Sequence, residues 1–219
     1  MKKYIQSYHM FLPGNALWVK LLLYIVYPLA VMGVALFGKD EGMIDSMVIS
    51  SLLIIVIEVI LDSELFGSII AEGTKKLEYL KISYKGRDCL TSGLIGDACR
   101  RFGTAAVVQL GSYFLFVRCF SEQQNIGWAL LSLSLIFLVE EVIACTIRII
   151  GAIWLNMLVV TLLTTYLMLM IAFLEVDGLN VHCGCLCLLA AFFMVIAVVL
   201  AKVNIYQITK WVGGTYHDK

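Results

Sequence analysis

Six apolar stretches, each close to the roughly 20 residues that a helix needs to cross a bilayer, dominate this chain. They run over 17–37, 46–66, 102–117, 126–147, 151–174 and 184–201, and every gap between them is polar or turn-like. A segment crossing lipid must satisfy its backbone internally, which leaves the helix as the fitting solution for runs of this length. The expected fold class is therefore all-α, a polytopic membrane protein whose 219 residues form a single transmembrane domain. Composition agrees: 61% of residues are hydrophobic and 15% charged, against roughly 45–50% and 25% in soluble domains. That excludes a soluble globular enzyme, a disordered chain and a nucleic-acid binder.

Net charge is zero, so the placement of charges carries the information. Basic residues concentrate on the cytoplasmic side of membrane proteins. With the N-terminus inside, Lys2, Lys3, Lys75, Lys76, Lys81, Lys85, Arg87, Arg100, Arg101, Arg148, Lys202, Lys210 and Lys219 are cytoplasmic, and Lys20 lies at the inner boundary. Lys39 and Arg118 fall outside. Both termini are then expected in the cytoplasm of a multi-pass protein of the cell membrane. The first apolar run is longer than the roughly 7–15 residues of a signal-peptide core and lacks a small-x-small cleavage site, so it is read as a retained helix.

The outer loops are short, which puts function in the membrane or on its cytosolic face. The sizeable polar segment is 67–101. Within it Leu77, Leu80 and Tyr84 follow at i, i+3 and i+7, while Lys75, Lys76, Glu78, Lys81 and Lys85 fall mostly elsewhere, giving an amphipathic helix between Gly73 and Gly86. Such a helix suits either anionic lipid or a cytosolic partner. Residues 1–16 suggest a second interfacial helix, with Ile5, Tyr8 and Leu12 on one side and Pro13-Gly14 after it; lipid is its expected surface.

No phosphate-binding loop, zinc-protease H-E-x-x-H or nucleophile-elbow motif occurs, so the chain itself cannot hydrolyse ATP and no catalytic residue is assigned. Glu140-Glu141 is an intramembrane acid pair resembling the E-E-x-x-x-R motif of CAAX-type proteases, but the next arginine, Arg148, stands seven residues on and the histidines lie at or beyond helix ends. Consecutive residues point about 100° apart, so one basic partner cannot easily serve both. They are read as a buried packing site, with Arg148, Arg100 or Arg101 as partners, or as a coupling element. Glu58, well inside the second stretch, is a functional-site hypothesis by default, either lining a pathway or packing. Thr161, Thr164 and Thr165 share a face of the fifth stretch, where packing is the ordinary role.

Seven cysteines include a Cys183-x-Cys185-x-Cys187 run. On a helix, i and i+2 face different sides, so metal binding is not expected there, and no other metal or cofactor site is assigned. Cys119 and Cys183 both fall outside and are a possible disulfide pair.

The run from Gly73 to Arg101, with Lys75-Lys76-Leu77-Glu78-Tyr79-Leu80 followed by Gly86-Arg87-Asp88, resembles the loop after the second membrane helix in permease subunits of six-helix ABC exporters. The turn Ile82-Ser83-Tyr84-Lys85-Gly86-Arg87-Asp88 lacks the proline usual there. The likeness covers the six-helix layout, the N-terminal helix and this loop, and extends to small bacterial permeases that export phenol-soluble modulins, lantibiotics and other amphipathic peptides. The resemblance implies two permease copies, as a homodimer or heterodimer, bound to ATPase subunits that carry the ATP and magnesium. It implies an ATPase-coupling set of Lys75, Lys76, Leu77, Leu80, Lys81, Tyr84 and Arg87. It also implies a substrate pathway with Ser50, Ser51 and Glu58 opposite Thr161, Thr164 and Thr165.

Three rivals remain on sequence. The substrate-binding subunit of an energy-coupling-factor vitamin importer has similar size, but Ala30 and Ala35 miss its A-x-x-x-A spacing by one. A membrane-embedded enzyme such as a protease finds no supporting motif. A non-transporting immunity or assembly protein is the third.

Overall fold

The computed structural model describes residues 2–12, 17–37, 43–62, 80, 83, 85–120, 125–146, 148 and 183–213. Among them every regular element is a helix and no strand occurs. In chain order these are α1 (Lys2–His9), α2 (Leu17–Leu21), a π-helical turn (Leu22–Val26), α3 (Tyr27–Phe37), α4 (Met43–Asp62), α5 (Gly86–Phe120), α6 (Ile126–Cys145) and α7 (Cys183–Gly213). The fifth apolar stretch, 151–174, lies outside the described residues.

Among the described residues two helices are long and apolar enough to cross a membrane, Ile126–Cys145 and Cys183–Lys210. They play different parts in the packing. Helix α6 is buried almost all round, from Gly127 to Ala144, and its start is set by Asn125, whose side chain accepts from the Gly127 N–H at 2.9 Å. Helix α7 buries one stripe, Leu186, Ala190, Ala197, Ala201, Asn204 and Ile208. Small residues along that stripe let the two backbones approach closely. At one end, a Cβ added at Gly127 would lie only 2.7 Å from the Leu186 Cβ. The opposite side of α7, with Leu188, Phe192, Val195, Val199 and Tyr206, is exposed.

The core between α3, α4, α5 and α6 is built from Tyr27, Val31, Ile54, Ala105, Val108, Leu133 and Ile136. On α3, α5 and α6 these residues recur at three- or four-residue intervals, the spacing of one helical face, and α4 contributes Ile54. Helix α5 differs from its expected extent: it begins at Gly86, not near Phe102, and its 35 residues run about 52 Å at 1.5 Å per residue. The residues 86–101, read as loop because they are polar, continue the helix because they carry no proline and bury Leu90, Leu94 and Asp97 on one face. Gly86 is required where it stands, since a Cβ there would meet the Leu80 carbonyl oxygen at 1.9 Å.

Helix α1 also takes a different surface from the expected lipid. Tyr8 and Leu12 are buried against Leu90 and Leu94 of α5 and Ile208 of α7. The contact is possible because α5 presents Gly93 and Gly96 to it: a Cβ at Gly96 would lie 2.6 Å from the Tyr4 carbonyl oxygen and 2.9 Å from the Tyr8 Cβ. His9 Nε2 sits 3.2 Å from the Tyr24 hydroxyl. Partial burial, with the Lys20 ammonium nearby, holds its imidazole below the ordinary range.

Candidate functional site: a buried ion-pair network

Three helices and the turn after α6 converge on a cluster of charged side chains that water barely reaches. Helix α4 brings Glu58 and Asp62, one turn apart; α5 brings Asp97, Arg100 and Arg101; α6 brings Glu140 and Glu141; Arg148 follows α6. All eight are buried. Removing a charge from water is costly wherever it is buried, and a buried charge without a partner costs several kcal/mol, so a set this large is tolerable only if its members answer one another.

The arginines do most of the answering. Arg100 donates from Nη1 to Glu58 Oε1 at 2.7 Å and from Nη2 to Glu58 Oε2 at 2.6 Å, a two-pronged pair. Its Nη2 also reaches Asp97 Oδ1 at 3.1 Å. Arg101 donates to the Glu140 carbonyl oxygen at 3.0 Å and forms ion pairs with Asp97 at 3.1 Å and Glu141 at 3.3 Å. Arg148 donates through Nε to Asp62 Oδ1 at 3.0 Å, pairs with the same oxygen through Nη2, and reaches Asp97 Oδ2 at 2.6 Å. Asp97 is thus the hub, in contact with all three arginines. On the other side of Arg100, the Tyr8 ring of α1 lies 5.6 Å from the guanidinium carbon, a cation–π contact.

Glu140 behaves unlike the rest. Its backbone carbonyl is used, yet neither carboxylate oxygen has a hydrogen-bond partner among the described residues. Arg101 thus serves the side chain of Glu141 and the main chain of Glu140.

A second, uncharged cluster sits farther along the same helices. Gln109 Nε2 donates to Ser50 Oγ at 3.1 Å and Ser51 Oγ at 3.2 Å. Ser51 Oγ lies 3.2 Å from Ser132 Oγ, and both α4 serines bond back to the Met47 carbonyl, at 2.9 and 2.6 Å. Ser50 and Ser51 thus face α5 and α6.

Of the expected pathway residues, the structure places Ser50, Ser51 and Glu58 on α4, all buried, with Glu58 two turns from the serines. Thr161, Thr164 and Thr165 lie outside the described residues. Of the expected coupling residues, Leu80 packs on the cluster around Tyr8 and Leu90 and Arg87 is exposed in the first turn of α5; Lys75, Lys76, Leu77, Lys81 and Tyr84 lie outside the described residues. Sequence reasoning missed Asp97 and Gln109. The signal for Asp97 was present, since Arg100 and Arg101 follow at i+3 and i+4, the spacing of neighbours on a helix. Cys183 is a free thiol, and among the described residues no group of three or more His, Cys, Asp or Glu side chains is arranged to hold a metal.

Comparison with known protein families, with curated proteins and with solved structures returns no match.

Proposed function

We propose that the chain is the transmembrane permease subunit of an ATP-driven exporter of the ABC type, a six-helix multi-pass protein with both termini in the cytoplasm. It pairs with a second permease copy, and a partner ATPase holds ATP and magnesium. Amphipathic peptides are the substrate class that the loop resemblance suggests. What supports the reading most is the continuity of α5. The helix starts at Gly86, inside the segment that resembles a coupling element, and runs unbroken to Phe120. Eleven to fifteen residues after Gly86 it carries Asp97, Arg100 and Arg101, which are ion-paired to Glu58 of α4, Glu141 of α6 and Arg148. A push delivered at Gly86 by a closing ATPase would therefore arrive at three neighbours through charged contacts that resist slippage. Ion pairs of this kind reset as discrete steps, which suits a subunit alternating between inward and outward openings.

The test compares two variants. Helix-in-groove contacts draw most of their affinity from a few apolar or aromatic anchors, whereas a lipid-bound helix depends on its lysines, each worth roughly 1 kcal/mol at an anionic surface. Leu77→Ala with Tyr84→Ala should release the ATPase subunit and stop ATP-dependent peptide export while the permease still inserts; Leu80 is left intact because it packs on the cluster around Tyr8 and Leu90. The quadruple Lys→Gln change at Lys75, Lys76, Lys81 and Lys85 should leave copurification of the ATPase largely intact. An apolar double mutant that retains both the ATPase and export defeats the proposal.

A further inference from the structure

The opening turn of α7 places two thiols face to face. Cys183 and Cys187 are four residues apart, which puts them on one side of the helix, and their sulfurs stand 3.9 Å apart. Cys183 is exposed and Cys187 half-buried, so neither thiol is sealed in the core. Two thiolates bound to one tetrahedral ion at about 2.3 Å each are separated by about 3.8 Å. The observed gap thus needs almost no adjustment. It is well beyond the roughly 2.05 Å of a disulfide, and both sulfurs are thiols. Cys185 points about 200° around the helix from Cys183 and does not share the site.

We propose that Cys183 and Cys187 form a two-thiolate chelate for a soft divalent cation of the zinc or cadmium class. Thiolate ligands select such ions over calcium or magnesium. Binding forms two metal–sulfur bonds, releases the two thiol protons to solvent and displaces two waters from the ion, with no change of oxidation state. Water fills the remaining positions, leaving an exchangeable site at the rim of the bundle. The proposal stands independently of the exporter reading.

The experiment uses the full-length protein in detergent, with cadmium as the probe and maleimide alkylation followed peptide by peptide. Cadmium should protect Cys183 and Cys187 together and leave Cys185 reactive, and a chelator should restore alkylation. Cys187→Ser should raise the cadmium needed to protect Cys183 by about 100-fold, the effective-concentration gain lost when a second ligand is removed, and Cys183→Ser should do the same for Cys187. Cys185→Ser should change neither, and since all three are conservative changes on an open surface, an unaltered elution profile shows that each variant is folded. Protection of Cys183 that survives Cys187→Ser, or equal protection of Cys185, overturns the proposal in favour of adventitious single-thiol binding only.

Discussion

Arg100 grips Glu58 with both terminal nitrogens, at 2.7 and 2.6 Å, across the contact between α4 and α5. Both side chains are buried, and the guanidinium is backed by the Tyr8 ring. That geometry makes Glu58 a fastening between helices, and a pathway role would have to use it without releasing Arg100.

Removing one partner of a buried pair leaves the other charge unanswered, at a cost of about 3–5 kcal/mol. Glu58→Ala should therefore lower the stability of the detergent-solubilised protein by about that amount. The double change Glu58→Leu with Arg100→Met should cost clearly less than the sum of the single changes, since neither charge is stranded. Denaturant midpoints for the four proteins give the coupling energy directly. A single mutant with unchanged stability and reduced transport would return Glu58 to the pathway.

The serine cluster should be far cheaper to disturb. Interhelical hydrogen bonds between neutral groups in membrane proteins average about 0.6 kcal/mol, and when Ser51 is removed Gln109 keeps Ser50 as an acceptor. Ser51→Ala is expected to cost no more than about 1 kcal/mol in the same unfolding measurement. A loss matching that of Glu58→Ala would mean that the Gln109 cluster, and not the ion pairs, holds α4 in place.

Two glycines of α5 offer a matched pair. Nothing lies within 4 Å of a Cβ at Gly103, whereas at Gly96 the added carbon meets α1. Gly103→Ala should stabilise by up to about 1 kcal/mol through helix propensity, and Gly96→Ala should destabilise by about 1–3 kcal/mol through overpacking. Displacement of α1 is read out by faster alkylation of Cys89, whose sulfur lies 3.9 Å from that of Met10. Equal behaviour of the two variants would show that α1 is held loosely.

Topology is checked by thiol labelling in a cysteine-free background. On the basic-residue asymmetry, Asp40→Cys should react with an impermeant reagent from outside and Lys76→Cys only from inside. The reverse pattern would place 67–101 outside the cell, where no ATPase could meet it.

Much of the architecture is written in local patterns. Apolar runs mark α3 and α6 because a helix of that length needs little else to be recognised. The position of Glu140 and Glu141 on one helix, with Arg101 among their candidate partners, follows from cost alone: such charges need an answer. What local pattern does not carry is the pairing across helices. Nothing in the neighbourhood of Glu58 points to Arg100, 42 residues away, and polarity over 86–101 conceals a helix because its buried face is partly ionic. Tyr8 is similar: an aromatic on an amphipathic helix fits lipid as well as protein, and only Gly93 and Gly96 on a distant helix decide between them.

The π-helical turn at Leu22–Val26 divides the first apolar stretch just before Pro28. Proline has no N–H to give to the carbonyl four residues back, and the widened turn, closed by the Tyr27 N–H to the Leu22 carbonyl, absorbs that defect. The two halves are then moored to different parts of the bundle: Leu23 to the α1 cluster, Tyr27 and Val31 to the central core. One rod has become two links, and the joint lies between the part anchored beside Tyr8 and the part anchored beside Ile54: a change of packing at either anchorage meets the re-registered ladder at Leu22–Val26 before it reaches the other.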